Sequence, residues 1–268
     1  MGKDFNEVCR IHSPAPYPHD PETMKIHAIG FDADDTLWHN EDHFAATEDA
    51  FADLLSKWSD APTAKQKLLA TETHNLELFG YGVKSFMLSM IEAAMELSNG
   101  EIESTDLRVL LDHGREMLLR PAELLPGVAD VLEDLSAASP LILVTKGDLH
   151  HQERKVANSG IAHWFRTVEV VSEKDSDTYA RILSRHDVDP ASFVMIGNSV
   201  RSDILPVIEL GGTGIHIPYS FTWGHEVVDE RATTHIERNG SSSRYLEAES
   251  FKELPDLIRR LSLPANVR

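Results

Sequence analysis

The sequence predicts an α/β fold, a parallel sheet with helices on both faces, interrupted by an inserted all-helical domain. Three observations predict it. Five short apolar segments recur along the chain with little polar alternation, as strands covered on both faces require. The later segments are separated by helical stretches of crossover length. Between the first and second segments, residues 43–120 hold no strand-like run at all. Together these describe a Rossmann-like core with a helical unit inserted behind its first strand.

In chain order, residues 11–23 (IHSPAPYPHDPET) carry four prolines and no periodicity, so residues 1–23 read as an extended lead-in. The core is expected over 24–42 and 121–268, and its first strand is IHAIGF at 26–31. The insertion, 43–120, contains the amphipathic patterns FAATEDAFADLLSKW, GVKSFMLSMIEAAMELS and TDLRVLLDHGREMLL. A crossover needs one helix, so a segment this long is a small domain of its own, and the Met-rich run FMLSMIEAAM belongs to its core. LLPGVADVLEDLSAASP then returns the chain as one helix, with Pro126 and Gly127 marking its start. Strands follow at 141–145 (LILVT), 167–171 (TVEVV), 193–197 (FVMIG) and 213–217 (TGIHI), with helices at 177–186 and 200–210. There is no internal repeat, and the one low-complexity run is NGSSS at 239–243.

Composition removes several classes of function. With 44 acidic and 25 basic residues the net charge is -19, which repels nucleic-acid phosphates and anionic lipid alike. No run approaches the roughly 18 apolar residues of a membrane span, and the N-terminal stretch lacks the apolar region of a signal peptide. The single cysteine, Cys9, excludes an internal disulfide framework and suits a reducing compartment. Cytoplasmic residence is therefore the expectation, with neither nucleic acid nor membrane as a partner. The 14 histidines are scattered without metal-ligand spacing.

Chemistry concentrates at the strand ends, where open α/β sheets bind ligands. The first strand ends in Asp32, Asp34, Asp35 and Thr36; the second in Thr145, Lys146 and Gly147. Lys174 follows the third, and the fourth runs into Asn198, Ser199 and Asp203. Like charges packed as closely as the three aspartates repel one another unless a cation compensates them. An oxygen-rich site of Asp32, Asn198 and Asp203 suits Mg²⁺. Thr145 and the amides of Lys146 and Gly147 can donate to a phosphate, and Lys174 supplies positive charge for the transition state. In that setting Asp32 can attack phosphorus, while Asp34 protonates the leaving oxygen and later activates water.

These residues resemble the haloacid dehalogenase superfamily of aspartate-nucleophile hydrolases, over about residues 24–220. DADDTL is similar to the family's first motif, DxDx[TV][LV]; Thr145 to the second, Lys174 to the third and GNSVRSD to the acidic fourth. The resemblance implies Asp32 as nucleophile and metal ligand, and Asp34 as general acid/base whose backbone carbonyl also binds the metal. It implies Mg²⁺ as cofactor, with Asn198 or Asp203 completing its ligands, and a helical cap that closes over a small phosphorylated substrate. Two residues depart from the common pattern: Asp35 stands where many members have glycine, and Asn198 where many have aspartate.

Plainer roles are available for single residues. Asp34 or Asp35 can cap the next helix, Thr145 can be a turn residue, and Lys174 and Arg201 can be surface cations. Trp38, His39 and Asn40 can serve packing or substrate. An EF-hand is excluded, because DADDTLWHNEDH has Leu37 and His43 where glycine and glutamate are required. A DxD nucleotide-sugar transferase leaves Thr145, Lys174, Asn198 and Asp203 without a task, and a non-catalytic phosphoacceptor module leaves the large insertion and Asp34 without one. Within the superfamily, a phosphomutase and a carbon-halogen hydrolase are alternatives. Halide displacement needs no leaving-group proton, so Asp34 favours a phosphatase.

Overall fold

The computed structural model describes residues 26–220 and 244–263; the expected lead-in at 1–23 and the NGSSS run lie outside them. The described residues contain β1 (Ala28–Phe31), β2 (Leu141–Lys146), β3 (Phe165–Val171), β4 (Phe193–Gly197), β5 (Thr213–His216) and β6 (Tyr245–Glu247). These form one parallel sheet in the order β3-β2-β1-β4-β5-β6. The chain builds outward from β1 in one direction and then from β4 in the other. The switch point therefore lies between β1 and β4, whose carboxyl ends open a crevice.

Strand periodicity divides the core. Leu141 and Leu143 face one layer, with Phe31, Leu132, Leu135 and Ile258; Ile142 and Val144 face the other, with Tyr179, Ile182 and Val207. The first layer is made by α5 (Val128–Ala138) and α9 (Leu254–Leu261), the second by α7 (Ser176–Arg185) and α8 (Leu205–Glu209). Phe31 lies edge-on to Phe165 at 6.2 Å and stacked with Phe251 at 6.3 Å. α6 (Leu149–Asn158) joins β2 to β3.

The inserted domain is all-helical: α1 (Glu41–Leu54), α2 (Ala61–Phe79), α3 (Val83–Leu97) and α4 (Ser104–Leu119). It has its own core, in which Phe51, Leu55, Leu68, Phe86, Met90 and Leu110 are buried, each worth about 1.5–3 kcal/mol of hydrophobic stabilisation. The Met-rich run contributes Phe86, Met90, Ala93 and Ala94 to that core, whereas Leu88 and Met95 face outward.

The structure corrects one expected helix. Residues 200–210 are not continuous: Val200–Ile204 form a wide π-type turn before α8 begins. The Ser199 hydroxyl accepts from the Ser202 amide at 3.1 Å, and Pro206 has no amide to continue the ladder. The wide turn carries Asp203 inward. β6, a three-residue edge strand, is an addition to the five expected; α2 falls within the stretch expected to be helical, and α6 and α9 were not anticipated.

Candidate active site

Asp32 lies directly beyond β1, where its amide donates to the Ile196 carbonyl at 2.9 Å and keeps the chain in register with β4. Lys174, from the turn after β3, donates to Asp32 Oδ1 and, at 2.7 Å, to Asp203 Oδ1. The three are closed off from solvent, with exposures of 6% for Asp32, 5% for Lys174 and 1% for Asp203. Burial, together with the Asp203 charge, pushes the Asp32 carboxyl up to about 7 against the pull of Lys174. Burial alone would weaken the Lys174 ammonium, but the two carboxylates hold its pKa well above the ordinary lysine value. Lys174 is thus the protein's own cation between two buried anions.

Asp203 Oδ2 accepts from the Ser199 amide at 3.0 Å. A side chain at residue 197 would collide with this carboxylate, since a Cβ on Gly197 would stand 2.2 Å from Asp203 Oδ2. Thr36 Oγ1 lies 2.8 Å from Asp32 Oδ2 and 3.3 Å from Asn198 Oδ1, and it accepts from the Asn198 amide at 3.0 Å. One hydroxyl has one proton. The shorter contact takes it, leaving the Asn198 side-chain oxygen to the cavity. Asp32 and the Asn198 oxygen face the same cavity and offer oxygen donors with one carboxylate, which fits Mg²⁺. The Asp34 carboxylate stands outside this set, because Trp38, Gln152 and Lys155 already hold its oxygens.

Both oxygens of Asp34 are engaged. Trp38 Nε1 donates to Oδ1 at 2.6 Å, Gln152 Nε2 to Oδ2 at 2.8 Å, and Lys155 Nζ also to Oδ1. Burial raises the pKa of Asp34, but the Lys155 charge and these hydrogen bonds outweigh it and hold the carboxyl below the usual aspartate value. Gln152 and Lys155 lie three residues apart on α6, on one helix face. Neither was expected from the sequence, and their spacing is the signal that was available.

Asp35 has a different task. Its backbone is left-handed, with φ 62°, a conformation Asp tolerates and Gly favours. Its carboxylate accepts from the amides of Asn40 and Glu41 at 2.9 Å, capping the start of α1. Asp35 therefore fixes the entrance to the insertion, and burial pushes its carboxyl up to about 7. Asn40 accepts from Lys155 at 2.9 Å, and His39 meets the Tyr219 hydroxyl at 2.6 Å. Arg201 is exposed.

The expected site residues Asp32, Asp34, Thr145, Lys146, Lys174, Asn198 and Asp203 line one cavity of about 170 Å³. Gly147 is outside its lining, with φ 134° and Gln152 packed against it. Thr145 is buried, and Lys146 donates to Ser202 Oγ at 3.0 Å. The opposite wall is the insertion, which supplies Glu41, Phe44, Glu48, Glu72, Tyr81 and Phe86, none of them anticipated. The insertion also grips the core: Tyr81 donates to Glu173 at 2.7 Å, and Lys84 to Asp148 at 2.9 Å.

Comparisons relate the chain to known proteins. A family model for haloacid dehalogenase-like hydrolases matches residues 26–211. A haloacid dehalogenase-like family hydrolase from Xanthomonas campestris is 40% identical, with 92% of this chain and 96% of that one aligned at a TM-score of 0.78. Two more distant structures share the fold. The HAD-type hydrolase YfnB of Bacillus subtilis, bound to magnesium, is 17% identical with a TM-score of 0.57, over 87% of this chain and 98% of its own. A 2-haloacid dehalogenase from Pseudomonas syringae is 20% identical with a TM-score of 0.57, over 88% of this chain and 99% of its own. No curated protein matches the sequence.

Proposed function

Because the chain belongs to the haloacid dehalogenase-like hydrolase family, we propose that it is a Mg²⁺-dependent phosphatase acting on a small phosphate monoester through an aspartyl-phosphate. The observation that carries this reading over carbon-halogen hydrolysis is Asp34, a second carboxylate lining the cavity of Asp32 and held by three donors. Such a group has no leaving-group proton to supply when halide departs.

In the first step an Asp32 carboxylate oxygen attacks phosphorus, the bond from phosphorus to the alcohol oxygen breaks, and that oxygen takes a proton from Asp34. In the second, Asp34 takes a proton from water, the resulting hydroxide attacks phosphorus, and the bond to Asp32 breaks. The proton gained from water is the one given to the next leaving group, so the cycle balances. Resting Asp34 is ionised, and a phosphate dianion beside it raises its proton affinity. Thr145 and the backbone after it orient the phosphoryl oxygens, and Lys174 keeps Asp32 in place while offsetting negative charge. Mg²⁺, held by Asp32, the Asp34 carbonyl and Asn198, would neutralise charge on the phosphoryl group. Asp203 is read as a positioning residue that acts through Lys174. The helical insertion acts as a cap that closes over substrate, and the setting proposed is the cytoplasm.

The test is hydrolysis of p-nitrophenyl phosphate with and without Mg²⁺, with Asp32→Asn as control. Release that depends on both Mg²⁺ and Asp32 supports the mechanism. Turnover surviving the substitution and chelation, or halide release from a 2-haloacid in place of phosphate release, overturns it.

A further inference from the structure

The cap side of the cavity carries an unexplained acidic surface. Glu41, Phe44 and Glu48 follow one stripe of α1 at helical spacing, and Glu72 faces them from α2; all four line the cavity. Glu72 is only 8% exposed, and its Oε2 is buried without a hydrogen-bond partner. A buried carboxyl oxygen left unpaired costs free energy whether or not the group is ionised, so its persistence in a cavity wall points to a donor that arrives with the ligand. The lysines lining the cavity, Lys146 and Lys174, belong to the core end, where phosphate is expected. Phe44 and Phe86, with ring centroids 4.9 Å apart, add an apolar surface on the cap side.

From this arrangement we propose that the cap end of the cavity binds a protonated amine carried by the alcohol part of the phosphate ester. The inference rests on the phosphatase reading above and gives it a substrate class: a small zwitterion with phosphate at one end and an N–H-bearing ammonium at the other. A primary ammonium brings the donors that the orphaned Glu72 oxygen lacks, which a quaternary ammonium does not. A bare divalent ion fits less well, because no three acidic, His or Cys side chains among the described residues converge tightly enough to hold one. Burial pushes Glu41 and Glu72 up to about 8, and repulsion from Glu48 adds to both. The cluster is thus strained in the absence of a cation and relieved by one. The aromatic surface suits the methylene chain between the two charges.

The test compares ω-aminoalkyl phosphates of two to six carbons with n-alkyl phosphates of matched length, using the full chain with Mg²⁺. At the best length, kcat/KM for the amino ester is expected to exceed that of its alkyl isostere at least tenfold. This ratio should collapse toward one in Glu72→Gln and in Glu48→Gln. Taking the ratio within each variant removes any general loss of activity. Equal kcat/KM for the two series in the wild type, or a preference that survives both substitutions, overturns the proposal. Should none of the esters be hydrolysed, the phosphatase reading fails, and the amine site is then judged by thermal shift with the same compounds. A larger rise in Tm for amino than for alkyl phosphates, lost in Glu72→Gln, supports the site; equal shifts overturn it.

Discussion

Lys155 and Asp34 form an ion pair between α6 and the turn after β1, with side-chain exposures of 8% and 23%. The pair lowers the Asp34 pKa, so its stabilisation is fully present above the unfolded value, about 3.9, and is lost as pH falls through the folded one. Lys155→Met leaves a desolvated carboxylate without its cation. The variant should melt well below wild type at pH 7, with the gap closing below about pH 4. The pH at which Asp34 loses its proton should rise, and the limb of the kcat/KM profile that Asp34 sets should move upward with it. An unmoved limb in a folded variant would remove Asp34 as the acid.

How much of this site could be read beforehand depends on where its residues sit. Asp32, Thr145, Lys174, Asn198 and Asp203 each end or closely follow an apolar strand, so strand order alone brings them together at the β1/β4 crevice. Lys155 and Gln152 belong to α6, a mostly polar helix whose functional face differs little in composition from a solvated one. Glu41, Glu48 and Glu72 look like ordinary solvated charges on amphipathic helices until α1 and α2 are packed over the core. The break of residues 200–210 was foreshadowed by Pro206, but the direction in which it turns Asp203 depends on contacts with Lys174 and Ser199.

Asp35 combines two properties that substitution can separate. Asp35→Gly eases the left-handed backbone but removes the acceptor for the Asn40 and Glu41 amides, so the two effects partly cancel. Asp35→Ala loses the cap and keeps the strained φ, and should cost about 1–2 kcal/mol. Thermal unfolding should therefore rank wild type above Gly and Gly above Ala. Equal Tm values for all three would show that the cap contributes nothing to anchoring α1.

Lys174 neutralises two buried carboxylates at once, so its removal acts on folding and chemistry together. Lys174→Met should cost about 3–5 kcal/mol, the range for breaking a buried pair, and should abolish turnover. Asp203→Asn leaves Lys174 still bonded to Asp32 and removes the anion that helps to push Asp32 up. It should lower the pKa of Asp32, as followed by NMR titration of the metal-free protein. A rise in its place would mean that Asp203 acts on Asp32 chiefly by holding Lys174.

Glu72 offers the opposite pH dependence from Asp34. Its folded pKa is raised to about 8 by burial and by Glu48 and Glu41, whereas the unfolded value is about 4.3. Between these values the folded chain keeps a proton that the unfolded chain releases, so the penalty grows as pH rises and is complete above about 8. Glu72→Gln removes the ionisable group and hence the penalty. Relative to wild type, the variant should gain nothing near pH 4 and several degrees in Tm by pH 8, since each kcal/mol is worth about 2–4 °C in a domain of this size. A gap that stays constant with pH would instead assign the effect of the substitution to packing, and the Glu72 carboxyl to a charge state that folding does not alter.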